Sequence, residues 1–105
     1  MTGTIQEDAF RECRALERIE LPFTVAYIGD KAFRGCTALT DITTAGFGSG
    51  NSLPNTVRYI GSCAFAYCES LKELSMYDKV IFIGDGAFCG CSSLEKLSGF
   101  DKFRK

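Results

Sequence analysis

The stretch Ile28-Gly-Asp-Lys-Ala-Phe-Arg-Gly-Cys-Thr-Ala-Leu-Thr-Asp-Ile42 decides the fold, because variants of it occur four times along the chain. Ile5-Gln-Glu-Asp-Ala-Phe-Arg-Glu-Cys-Arg-Ala-Leu-Glu-Arg-Ile precedes it. Ile60-Gly-Ser-Cys-Ala-Phe-Ala-Tyr-Cys-Glu-Ser-Leu-Lys-Glu-Leu and Ile83-Gly-Asp-Gly-Ala-Phe-Cys-Gly-Cys-Ser-Ser-Leu-Glu-Lys-Leu follow it. The shared pattern is I-G-x-x-A-F-x-x-C-x-x-L-x-x-[IL]. Successive copies start 23, 32 and 23 residues apart, so the second unit carries about nine additional residues, near positions 44–52. Upstream of each later Ile the match continues: Val25, Val57 and Val80 stand three before it, and Tyr27, Tyr59 and Phe82 one before it.

A period in the low twenties lies within the range of solenoid repeats. One coil of that length cannot close a core; stacked coils can, because equivalent side chains of neighbours pack on one another. The columns follow from the alignment. Phe10, Phe33, Phe65 and Phe88 should form an aromatic spine, with Ala9, Ala32, Ala64 and Ala87 kept small beside it. Leu16, Leu39, Leu71 and Leu94 form one aliphatic column, and Ile19, Ile42, Leu74 and Leu97 another. Ile5, Ile28, Ile60 and Ile83 form a third. The alternating, β-branched Val-x-[Tyr/Phe]-Ile segment predicts a short strand. Gly29, Gly61 and Gly84 predict a turn at positive φ. Asp30, Ser62 and Asp85 are placed to cap a helical turn running to the Cys. The L-x-x-[IL]-x-[LM] piece predicts a second strand. The expected fold is a right-handed leucine-rich-repeat-like solenoid of four repeats, each with two short parallel strands and one helical turn. Residues 1–105 form one domain.

The extended pattern I-G-x-x-A-F-x-x-C-x-x-L-x-x-I-x-[LI]-P resembles the BspA-like, or Treponema-type, leucine-rich-repeat family from Ile5 to about Gly99. Repeat one departs from it with Gln6 in place of Gly. Repeat two departs with Thr43-Thr-Ala where the strand should run on to Leu-Pro. The resemblance implies a non-catalytic protein-interaction module of surface or adhesion type. The alternative is an intracellular scaffold or regulatory repeat.

Composition narrows the remaining classes. Apolar residues at 46% and charged residues at 24% describe a folded domain, not a disordered one. A net charge of −1 gives no electrostatic reason to expect nucleic acid or an anionic membrane. Histidine is absent, which removes the commonest general base and metal ligand together. No cofactor or enzyme activity is expected. No apolar run is long enough to insert in a membrane, and the N-terminus lacks the features of a signal peptide. The chain is therefore expected at the surface or outside the cell if it derives from a secreted parent, and otherwise in the cytoplasm.

Six cysteines would ordinarily suggest disulfides. Four of them, Cys13, Cys36, Cys68 and Cys91, share one repeat position, where an inward thiol acts as a small core residue. Disulfides between column neighbours are geometrically conceivable, since coils lie about 5 Å apart. Cys63 and Cys89 fall outside the column and are expected to be partly exposed. With no His and no C-x-x-C pair, neither a zinc site nor a thiol nucleophile is expected.

Two surfaces could meet a partner. One is the outward side of the L-x-x-[IL] strands: Glu17, Arg18 and Glu20; Thr40, Asp41 and Thr43; Lys72, Glu73 and Ser75; Glu95, Lys96 and Ser98. It is either a solvated face with weak cross-strand ion pairs or a concave recognition strip. The other is the insertion, rich in Gly and Ser and expected to project. Its Phe47 either folds back over the coil edge or anchors a partner. The C-terminal Phe100 and Phe103 could cap the last coil. The first repeat starts halfway through its pattern, which suggests a segment of a longer array or self-association through the N-terminal edge.

Overall fold

The computed structural model describes residues 3–46 and 50–99. Phe47, Phe100 and Phe103, for which an anchor and a cap were expected, lie outside the described residues. Eight short strands alternate between two sides of a solenoid: β1 (Gly3–Ile5), β2 (Arg18–Leu21), β3 (Val25–Ile28), β4 (Asp41–Thr44), β5 (Tyr59–Ile60), β6 (Glu73–Ser75), β7 (Phe82–Ile83) and β8 (Lys96–Ser98). On one side β1, β3, β5 and β7 make a continuous parallel sheet in that order. Its register aligns Ile5, Ile28, Ile60 and Ile83 as one row, and Thr4, Tyr27, Tyr59 and Phe82 as the next. On the other side β2 pairs with β4 and β6 with β8, also in parallel. The two strands per repeat expected from the sequence are therefore present.

The core fills the space between these sides. Phe33 and Phe65 are fully buried, and the spine rings stack nearly parallel with centroids 5.3, 5.2 and 5.4 Å apart from Phe10 to Phe88. Leu39, Leu71, Ile42, Leu74, Ile28 and Ile60 are sealed around them. Burial follows position in the stack. Residues of the middle two coils have neighbours on both sides. Their equivalents Ile5, Phe10, Leu16, Ile19, Phe88, Leu94 and Leu97 have one and stay half-buried.

The helical turn expected in each coil is absent; a chain of tight turns replaces it. Two positions per coil take left-handed φ: Asp8, Lys31, Cys63 and Gly86 three residues after the Ile, and Glu12, Gly35, Tyr67 and Gly90 seven after. A right-handed helix cannot accommodate such residues. A positive φ at the residue just before the closing N–H marks type II-like turns, seen in Ala32 N–H donating to Gly29 C=O and Cys36 N–H to Phe33 C=O, both 3.2 Å. Alternate N–H groups point along the solenoid axis. Lys31, Phe33 and Gly35 donate to Ser62, Ala64 and Ala66 of the next coil at 2.9, 2.7 and 2.8 Å. The capping role expected for Asp30 is likewise changed. Its carboxylate accepts the N–H of Ser62 across the coil boundary at 2.9 Å.

Gly29, Gly61 and Gly84 are not at positive φ, contrary to expectation. They are required by close approach instead. A Cβ on Gly29 would stand 2.6 Å from Glu7 N, and one on Gly61 2.6 Å from Asp30 N. Each collision is with the coil before. Gln6 occupies the same repeat position, with no coil stacked before it in the structure, so its side chain meets no such obstacle.

The insertion does not simply project. Its far end returns into the stack as a short additional rung between β4 and β6. Ser52 N–H donates to Ile42 C=O at 2.9 Å. Leu53 N–H donates to Ser75 C=O at 2.9 Å, and Ser75 N–H to Asn51 C=O at 3.0 Å. Leu53 is fully buried, and Thr44, in register with Leu21, is nearly so.

Candidate interaction surface

The additional rung covers only one end of the gap between β4 and β6. At the other end the backbones of coils two and three diverge, and the side chain of Asn51 spans them. Its amide nitrogen donates to Thr40 C=O at 2.6 Å and to Glu73 C=O at 3.2 Å, while its oxygen accepts Ile42 N–H at 3.3 Å. Above this stitch lies an open groove of about 610 Å³, within the range of ligand-sized clefts. Thr40, Asp41 and Thr43 form one wall; Lys72, Glu73, Glu95 and Lys96 form the other; Gly50, Asn51 and Ser70 complete the lining.

Seven of the residues singled out from the sequence thus come together around one groove. The rest do not. Glu17, Arg18 and Glu20 lie on coil one, a rung away from it, on or beside β2. Ser75 is engaged by the additional rung through a parallel bridge with Ser52. The outward strip does not run unbroken across the repeats: Arg18 is in register with Asp41 and Glu73 with Lys96, and the gap separates the two pairs. Asn51, Gly50 and Ser70 were missed. Nothing in the sequence marks Asn51 apart from its place just before Leu53-Pro54.

The groove's charges are uncommitted. Among the described residues, Asp41, Lys72, Glu73, Glu95 and Lys96 form no ion pair with one another or with other described side chains, although opposite charges face each other across both strand pairs. The cross-strand bridges considered at the sequence level are not closed. Ion pairs gather elsewhere, on the turns of the first two coils. There Glu12 binds Arg14 at 2.7 Å and Arg34 at 3.2 Å, and Arg11 approaches Asp8 at 3.7 Å. The hydrogen bond from Arg14, then the charges of Arg14, Arg34 and Arg11, hold the Glu12 carboxyl below its ordinary value. Arg34 also lies over the Tyr67 ring at 5.1 Å, and Gly35, having no side chain, leaves room for the Glu12 carboxylate that Arg34 binds.

On the opposite side, Tyr27, Tyr59 and Phe82 form an outward aromatic ladder, with centroids 5.8 and 4.6 Å apart. Tyr27 and Phe82 are 46% and 44% exposed. Tyr59 and Phe82 stack face to face, whereas Tyr27 is tilted 45° to Tyr59.

The cysteines bring no reactive centre to the groove. All six are free. The column thiols do more than fill space: Cys36, Cys68 and Cys91 donate to the carbonyls of Phe10, Phe33 and Phe65, one coil back, at 3.0, 3.3 and 3.1 Å. Burial pushes the Cys36 thiol up to about 11 and raises Cys68 and Cys91 as well, so the thiols stay protonated. Among the described residues no group of three or more His, Cys, Asp or Glu side chains is arranged to hold a metal ion. No helix there is long and apolar enough to cross a membrane.

The geometry agrees with what the chain is similar to. The family model described as "BspA type Leucine rich repeat region" matches residues 3–50 and 48–104, in six copies. Among solved structures, a leucine-rich repeat protein from Bacteroides ovatus shares 32% identity with a TM-score of 0.65, covering 90% of this chain and 28% of its own. A leucine rich cell surface protein from Faecalibacterium prausnitzii shares 30% identity with a TM-score of 0.59, covering 90% of this chain and 29% of its own. The leucine-rich repeat protein of T. pallidum shares 26% identity with a TM-score of 0.59, covering 91% of this chain and 62% of its own. The chain thus spans less than a third of the length of the first two. No curated protein matches it.

Proposed function

Because this chain belongs to the BspA-type leucine-rich-repeat family, we propose that it is a non-catalytic interaction segment that receives a protein partner in the groove between coils two and three. The observation that carries this is the set of uncommitted charges around Asn51. Asp41, Glu73 and Glu95 supply negative charge, and Lys72 and Lys96 positive charge, on an open surface of fixed backbone. Such an arrangement selects a partner whose charges are placed to match, and it governs encounter rate and specificity more than raw affinity. Among the described residues that line the groove none is aromatic, so they offer no ring for a sugar or base to stack on, which favours a polar protein surface. Glu17, Arg18, Glu20 and Ser75 would flank the contact.

A location at the cell surface, with an adhesive role, is the setting we favour. It is supported by the F. prausnitzii protein described as a cell surface protein. The six free thiols fit the alternative of an intracellular scaffold equally well. Self-association through the N-terminal edge is a further element of the proposal. It is supported by the half-buried Ile5, Phe10, Leu16 and Ile19 and limited by Gln6, which would obstruct a coil stacked in register.

The test is affinity capture with immobilised chain, comparing wild type with Asp41→Lys/Lys96→Glu and with Glu17→Ser/Arg18→Ser/Glu20→Ser, each confirmed folded by circular dichroism. The groove variant should lose captured proteins that the coil-one variant largely keeps. Capture of the same set by both, at equal strength, would remove the groove from the proposal.

A further inference from the structure

Cys63 and Cys89 stand outside the Cys column and have no part in the core. Their backbones are fixed relative to each other by a run of bonds between coils three and four. Cys63 N–H donates to Asp85 C=O at 3.0 Å, Phe65 N–H to Ala87 C=O at 2.8 Å, and Tyr67 N–H to Cys89 C=O at 2.7 Å. Beside both sulfurs lies Gly86, left-handed at φ +67° and without a side chain. A Cβ built there would stand 3.4 Å from Cys63 Sγ and 3.6 Å from Cys89 Sγ. Both thiols therefore border the same small opening. Cys89 is exposed and Cys63 half-buried. Of the column thiols, Cys36 and Cys68 are fully buried and Cys91 is turned inward onto Phe65 C=O, while the half-buried Cys13 lies on coil one, two coils from Cys63.

We propose that Cys63 and Cys89 form a surface dithiol that exchanges with a low-molecular-weight disulfide and closes into a bond joining coil three to coil four. The Cys89 thiolate, the more accessible, attacks one sulfur of the external disulfide. A Cys89–S–S–R bond forms as the R–S–S–R bond breaks and one RS⁻ leaves. The Cys63 thiolate then attacks Cys89 Sγ, breaking that mixed disulfide and releasing the second RS⁻. Two protein thiols are oxidised, one external disulfide is reduced, and the two protons lost by the cysteines convert the leaving thiolates to two RSH. Closure requires the sulfurs to come within about 2.05 Å, and they approach by side-chain rotation into the space that Gly86 leaves open.

The experiment titrates the fully reduced full-length chain with glutathione disulfide. It reads intact mass, peptide maps after alkylation, and the melting midpoint. The expected product has lost two hydrogens, carries a Cys63–Cys89 cross-linked peptide, melts higher than the reduced chain and returns to it with dithiothreitol. Cys63→Ser should stop at one glutathione adduct on Cys89. Gly86→Ala, which places a methyl beside both sulfurs, should slow closure so that the adduct accumulates. Linkage through Cys13–Cys36 or Cys68–Cys91 would overturn the proposal, as would a wild-type chain that stays at the mixed disulfide.

Discussion

Asn51→Ala tests the joint on which the groove depends. The side chain makes three hydrogen bonds to backbone groups on both sides of the gap, at 2.6, 3.2 and 3.3 Å. Each is worth about 0.5–1.5 kcal/mol net. Asn51 is half-buried, so water replaces part of what is lost, and a total near 2 kcal/mol is expected. For a domain of this size that lowers Tm by roughly 10 °C. Asn51→Asp separates hydrogen bonding from packing. It keeps the shape but loses the donor and sets a negative charge against the Thr40 and Glu73 carbonyls. It should be at least as destabilising as Ala near neutral pH. Urea unfolding followed by far-UV circular dichroism, in reductant, measures both. If the joint is what couples the two halves, the variants should also show a smaller m value, because coils one and two would unfold apart from coils three and four. Both variants within about 0.5 kcal/mol of wild type, with m unchanged, would refute the stitch.

Three further outcomes follow from the packing. Phe33→Ala should cost about 3–5 kcal/mol, because its ring is sealed between two others. Phe88→Ala should cost distinctly less, because Phe88 is half-buried; equal denaturation midpoints would contradict the position dependence of the spine. Gly61→Ala should be strongly destabilising, because its Cβ meets Asp30 backbone, whereas Gln6→Ala at the equivalent position should be near neutral in thermal melts. Stability should be complete below pH 9 and decline as pH rises from there towards about 11. The unfolded thiols ionise near 9.0 while folded Cys36 holds its proton to about 11 and Cys68 and Cys91 are also raised. A Tm profile across that range should flatten in Cys36→Ala/Cys68→Ala, and an identical slope would exclude the column thiols as the cause.

The core was legible because every column repeats four times at fixed spacing, so Phe10 to Phe88 could be aligned before any coordinates. The helical turn was misread because its residues have ordinary helix propensity. What excludes a helix is left-handed φ at Lys31, Cys63 and Tyr67, and no residue type at those positions announces it. Gly29, Gly61 and Gly84 were identified as special, but for the wrong reason: contact with the preceding coil is a tertiary fact, invisible in the local turn. Most of the groove was legible as outward strand positions. Asn51 was not, because its role depends on where a loop of irregular length returns, and hydrogen bonds to distant carbonyls leave no periodic trace.

The additional rung at Asn51–Leu53 makes the two sides of the solenoid unequal. One side of the solenoid climbs from coil two to coil three in a single strand step, Tyr27 to Tyr59. The other side interposes Ser52 between Ile42 and Ser75, and so climbs in two. At about 4.8 Å per step, that face is longer by nearly one strand width over the same rise of the axis. A stack lengthened on one face bends away from it, as a masonry course does around a wedge. Such a wedge should set the groove on the outer side of a local bend between the two halves. Changing the length of that return segment would retune the angle between the two halves while leaving every core column intact.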